Sequence, residues 1–71
     1  DKNTQFAFQV WENKQLILQS KQLIGMPLDK FKPGLQNMNF SNHRWRVYHY
    51  FYAPSGRTII AAERIDVRYL L

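Results

Sequence analysis

The sequence predicts an α+β domain, a four-stranded antiparallel sheet of two hairpins with an irregular apolar lid and a short C-terminal helix. Three observations predict it. First, Trp45 to Arg64 reads WRVYHYFYAPSGRTIIAAER, two apolar-rich runs around the turn Ala53-Pro54-Ser55-Gly56. Proline pre-sets φ at the second position of a type I turn, and glycine takes the positive φ that follows. Second, Gln5 to Trp11 alternates, with Phe6, Phe8 and Val10 on one side and Gln5, Ala7, Gln9 and Trp11 on the other. A period of two is the signature of a strand with a buried face. Third, residues 21–43 are punctuated by Gly25, Pro27, Pro33 and Gly34, yet carry Leu23, Ile24, Met26, Leu28, Phe31, Leu35, Met38 and Phe40. A loop that apolar must fold back over one face of the sheet.

The elements follow in order. The first strand spans approximately residues 5–11. Asn13 tolerates a left-handed conformation, so a tight turn centred on Asn13-Lys14 leads to a return strand over 14–20. Within the lid, Leu28-Asp29-Lys30-Phe31 suits one helical turn, ended by Lys32-Pro33. Asn37, Asn39, Ser41 and Asn42 lead polar chain into a strand over 44–53. There Trp45, Val47, His49 and Phe51 share one face, and Arg46, Tyr48, Tyr50 and Tyr52 the other. The last strand spans 57–64. Asp66 then suits the N-cap of a helix from Val67 to Leu71.

Seventy-one residues make one small domain, residues 1–71. Such a chain buries only about 60% of its unfolded surface. With no cysteine, neither disulfides nor thiolate metal sites hold it together. Ten Lys and Arg against five Asp and Glu leave a net charge of +5. The first twenty residues are neutral, and the excess accumulates toward the C-terminus. A solvated face is the plain reading; an anionic partner is the alternative. No apolar run approaches the ~20 residues that span a bilayer. The chain opens on Asp1 and stops inside the apolar phrase Val67-Arg68-Tyr69-Leu70-Leu71, so it reads as a segment of something longer.

The motifs argue against catalysis. No G-x-S-x-G, P-loop or H-E-x-x-H spacing occurs, and the two histidines, His43 and His49, form no nucleophile–base pair with a serine or cysteine motif. On one strand those histidines would stand roughly 20 Å apart, too far to share a metal. Glu63 and Asp66, three residues apart, are the better pair for a divalent cation or other ligand if a helix starts early. Arg64 and Arg68 lie beside them, and salt bridging is the stronger expectation. Arg46, Tyr48, Tyr50, Tyr52 and Arg57 make a basic aromatic strand face, the pattern on which single-stranded nucleic acid stacks. The same pattern packs a sheet beneath a lid, and that is the expectation here.

The order of residues also resembles a known family. QVW and LILQS are followed by Pro27-Leu28, by PGLQN (33–37), by HRWRVYHY, and by TIIAAERIDVRYLL after a short turn with glycine. This pattern is similar to the extracytoplasmic sensor segment of QseC- and PmrB-type two-component histidine kinases. The counterparts are Trp11-Glu12, Ser20, Gly34-Leu35, Trp45-Arg46-Val47, Ala61-Ala62-Glu63 and Arg68. The first turn lacks the family's usual glycine, and the nearest feature to a Glu-x-x-Glu iron motif is Glu63-x-x-Asp66.

The resemblance implies a PAS-like sheet with strand order 2-1-4-3, and a periplasmic domain of an inner-membrane protein that is itself non-catalytic. It implies chain ends lying beside two membrane helices and an anionic membrane surface nearby. The full-length protein would be a homodimer. The stimulus would be a small ligand or a metal ion such as iron, met at Glu63 and Asp66. Asp66 and Arg68 would relay the signal to the second membrane helix.

Overall fold

Pairs of residues with positive φ set the hairpins. Asn13 and Lys14 (φ 50° and 68°) and Ser41 and Asn42 (φ 50° and 64°) each form a two-residue loop. Two consecutive positive φ values match the right-handed twist of the strands they join. In the computed structural model, which describes residues 5–67, these loops connect β1 (Phe6–Glu12) to β2 (Gln15–Gln19) and β3 (Gly34–Phe40) to β4 (His43–Tyr52). The turn at residues 53–56 joins β4 to β5 (Arg57–Arg64). Gly56 closes it at φ 67°, and its carbonyl accepts from Asn13 N–H at 3.0 Å. A Cβ at Gly56 would collide with the Asn13 side chain.

The architecture corrects the expected fold class. One five-stranded antiparallel sheet forms, in the order β2-β1-β5-β4-β3, rather than a four-stranded PAS-like α+β domain. The extra strand is β3, which the sequence reading assigned to the lid. Its alternation is genuine: Gln36, Met38 and Phe40 are half-buried, whereas Leu35, Asn37 and Asn39 are exposed. Asparagine is depleted in strands, so composition masked the period. Among the described residues the only helical segments are two 3-10 turns, Lys21–Leu23 and Leu28–Lys30. Val67 is irregular, and the remainder of the helix expected over Val67–Leu71, with Arg68, lies outside the described residues.

The lid, now residues 20–33, covers the opposite face from the one expected. Leu23 and Phe31 pack with Trp45, Val47, Ile60, Ala7 and Ala62, all buried. The Trp45 indole stacks on Phe40 at 4.7 Å and donates to its carbonyl at 2.8 Å. Phe6, Phe8, Tyr48 and Tyr50 stand on the other face, with Phe6 61% and Tyr50 60% exposed. The tyrosine ladder is therefore not the surface beneath the lid.

Gln9 fixes the lid to the sheet. Its side chain is fully buried, and Nε2 lies 3.1 Å from the Leu23 carbonyl, 2.9 Å from that of Met26 and 3.2 Å from Gln19 Oε1. Its Oε1 accepts from Trp11 Nε1 at 3.0 Å. The Leu23 carbonyl also accepts from Met26 N–H at 3.0 Å within the lid, so Gln9 adds a second bond there and supplies a donor to the Met26 carbonyl. Gln9→Leu keeps the volume and removes the Gln9 partner of the Met26 carbonyl and of the Trp11 indole N–H, so it is expected to cost about 1–3 kcal/mol in urea denaturation. A cost under about 0.5 kcal/mol would mean that apolar packing alone holds the lid.

Candidate functional site

The β4–β5 register builds a cluster where β5 leaves the sheet. Trp45 stands opposite Arg64, and Ile65 N–H donates to the Arg44 carbonyl at 2.9 Å, which carries the ladder one step beyond β5. The next step brings Asp66 opposite His43. His43 Nδ1 donates to Asp66 Oδ2 at 2.9 Å, and Arg64 Nε donates to Oδ1 at 2.9 Å. One carboxylate thus ties the chain exit to the turn between β3 and β4. Asn39, Phe40, Asn42 and Arg44 complete a shallow cavity of about 460 Å³ around it.

The Arg64 guanidinium, by its hydrogen bond, holds the Asp66 carboxyl at about 2, below its ordinary 3.8; His43 and the Arg44 backbone add to this, and partial desolvation opposes it. The sequence expectation of salt bridging by Arg64 is met at Asp66, two residues on, whereas His43, 23 residues away, reaches Asp66 only through strand register.

Glu63 does not join this cluster. It lies on the open face, opposite both Phe6 and Arg46. It borders an apolar trough of about 190 Å³ with Phe6, Tyr48, Ala61 and Ala62. Because β5 remains extended through Arg64, the helical spacing that would have brought Glu63 and Asp66 onto one face does not arise. Among the described residues, no group of three or more His, Cys, Asp and Glu could hold a metal ion. Arg68 lies outside the described residues.

The open face is a broad uncovered apolar surface. Phe8, Ala61, Tyr48 and Leu35 form one row across β1, β5, β4 and β3, and Val10, Ile59 and Tyr50 form the next. Arg57 stands at its end, between Tyr52 and Glu12, and bonds Glu12 Oε2 at 3.0 Å. Exposed faces of this kind mark interaction surfaces more often than isolated exposed side chains do. Compared with protein families, with curated proteins and with solved structures, the chain matches none.

The Asp66 contribution to stability has a defined pH window. The carboxyl titrates at 3.8 when unfolded and about 2 when folded, so the unfolded chain binds more protons between those values. The contribution is complete above 3.8 and is lost as pH falls through about 2. Wild type and Asp66→Asn are expected to differ in melting temperature at neutral pH and to converge in acid, followed by circular dichroism. A difference that persists unchanged into acid would assign it to something other than the charged cluster.

Proposed function

We propose that the chain is the extracytoplasmic sensor domain of a membrane-bound two-component histidine kinase, and that the exit of β5 carries its signal. The observation that carries this reading is the adjacency of β1 and β5. Phe6 pairs with Glu63, and Arg64 N–H donates to the Gln5 carbonyl at 2.8 Å. The chain therefore enters and leaves the sheet side by side, as a segment held between two membrane helices must. The resemblance of the W-R-V strand and the A-A-E-R-I-D-V-R exit to the QseC and PmrB sensor segments supports the same reading.

In this proposal Asp66 works as a latch. Locked to His43 and Arg64, it holds the exit against the β3–β4 turn. A stimulus shifts the exit only by preferring one arrangement of it. Arg68, two residues on, relays the shift to the following membrane helix. A small ligand or cation that competes for the Asp66 carboxylate would release the latch; Glu63, on the other face, is not part of it. The full-length gene product is expected to carry an apolar run of about 20 residues on each side of this segment. In membranes, Asp66→Ala is expected to change basal autophosphorylation of that protein. Absence of either apolar run overturns the reading.

A second reading rests on the exposure of the aromatic ladder. Tyr48, Tyr50 and Tyr52 are all exposed, with Arg46 and Arg57 beside them. A single-stranded nucleic acid would stack its bases there and set its phosphates on the arginines. The expected result is binding of an oligothymidylate at low salt that weakens steeply as salt rises, with Tyr50→Ala costing about 1–3 kcal/mol. No binding at low salt removes this reading.

A further inference from the structure

The charges of the open face frame its apolar centre. Four rows of side chains cross the sheet there. The outer two hold the charge: Glu63 stands opposite Arg46 at one end, and Glu12 stands opposite Arg57 at the other. The inner two are the Phe8–Ala61–Tyr48–Leu35 row and the Val10–Ile59–Tyr50 row. Two arginines against two glutamates leave these rows neutral, although the chain carries +5. A neutral apolar face favours a neutral apolar partner over an anion. Glu12 is bonded to Arg57 at 3.0 Å. Arg46 and Glu63 are both exposed and, among the described residues, form no ion pair with each other.

This pattern is complementary to itself. A two-fold axis parallel to the strands, between β4 and β5, lays a second copy face down on the first and exchanges β4 with β5 in every row. Tyr48 then meets the partner's Ala61, at the apolar trough of about 190 Å³. Leu35 meets the partner's Phe8, and Tyr50 meets the partner's Ile59. Arg46 meets the partner's Glu63, twice by symmetry, so the two charges without an ion pair find each other. Arg57 meets the partner's Tyr52, a cation over a ring. These contacts set large on small, apolar on apolar, and positive on negative. An axis shifted onto β5 itself would set Glu63 on Glu63 and Arg57 on Arg57, which like charge opposes. Sheets stacked in this way lie about 10 Å apart with their strands turned by about −30°. Four strands by four rows cover about 500 Å² of each copy and about 1,000 Å² in all, the size at which a specific interface begins.

We propose that the open face is the interface of a homodimer, two copies packed sheet on sheet about an axis parallel to β4 and β5. The second copy supplies the cover that the single lid gives only to the opposite face. Because the axis runs along the strands, the start of β1 and the end of β5 lie at the same end of the dimer in both copies. The dimer needs neither membrane nor kinase, so it stands apart from the sensor reading. It occupies the tyrosines on which a nucleic acid would stack.

Sedimentation velocity of the 71-residue chain, from micromolar to millimolar concentration, is expected to show a monomer–dimer equilibrium. Arg46→Glu and Glu63→Arg each set like charges across the axis, and each is expected to weaken dimerisation about tenfold. Mixed in equal amounts, the two variants are expected to recover it as a heterodimer, since the axis sets both glutamates of one copy over both arginines of the other. Each exchange moves the +5 by two, so both variant chains stay positive and whole-molecule attraction does not account for the recovery. Tyr48→Ser is expected to weaken the dimer about tenfold through loss of the ring, and Phe51→Ser, on the covered face, to leave it unchanged. Circular dichroism melts of each variant separate lost pairing from lost folding. A chain that stays monomeric at millimolar concentration overturns the proposal. So does a dimer indifferent to Tyr48→Ser, or a mixture no more dimeric than its two components. A monomer that binds oligothymidylate through Tyr50 assigns the face to nucleic acid instead.

Discussion

The rest of the structure depends on a single amide. Both faces of this sheet are apolar enough to be a core, so hydrophobicity alone does not choose between them. Gln9 does. Buried on one face, it meets the Leu23 and Met26 carbonyls of the lid and the indole of Trp11. Irregular chain pressed onto a sheet carries backbone groups that have no ladder to join, and leaving them unpaired costs more than most apolar contacts return. A lid laid on the Phe6–Phe8–Val10 side would find no such partner. The polar residue in the middle of β1 therefore selects the covered face.

That selection has a consequence for the opposite face. With the single lid engaged, the Phe8–Ala61–Tyr48–Leu35 row and its neighbours have no cover among the described residues. Alanine at the middle of the row makes a shallow trough between rings rather than a ridge. The sheet is thus two-sided in chemistry: one face holds the fold together, and the other offers a broad aromatic surface edged by arginine.

At the exit of β5 the governing constraint is register. Antiparallel pairing fixes which residues of distant segments stand opposite each other, and a one-residue slip would turn every side chain to the other face. With Trp45 opposite Arg64, His43 and Asp66 must meet. The same register keeps Glu63 on the open face and separates it from Asp66. A charge cluster and a strand pairing are here two expressions of one alignment, so the Asp66 cluster is as well defined as the strand pairing that builds it.

The sequence by itself determined the local grammar. The Asn13-Lys14 turn, the Pro54–Gly56 turn, the alternation in β1, β4 and β5 and the helical turn at Leu28 are properties of short-range sterics and of period, and all are legible in single segments. Asp66 was legible as a residue of interest because an acid follows an apolar strand there. Tertiary structure decided the rest. β3 was hidden because asparagine is depleted in strands, although Asn37 and Asn39 take the exposed positions between half-buried Gln36, Met38 and Phe40, and because Ser41-Asn42 makes its tight turn without glycine. Which face is core depended on a Gln9 amide whose partners lie 14 and 17 residues away. Of the partners of Asp66, Arg64 was legible two residues away, whereas His43 depended on pairing between strands. Steric preferences act over a few bonds and can be read along the chain, whereas hydrogen bonds and burial act through space and exist only once the strands are aligned.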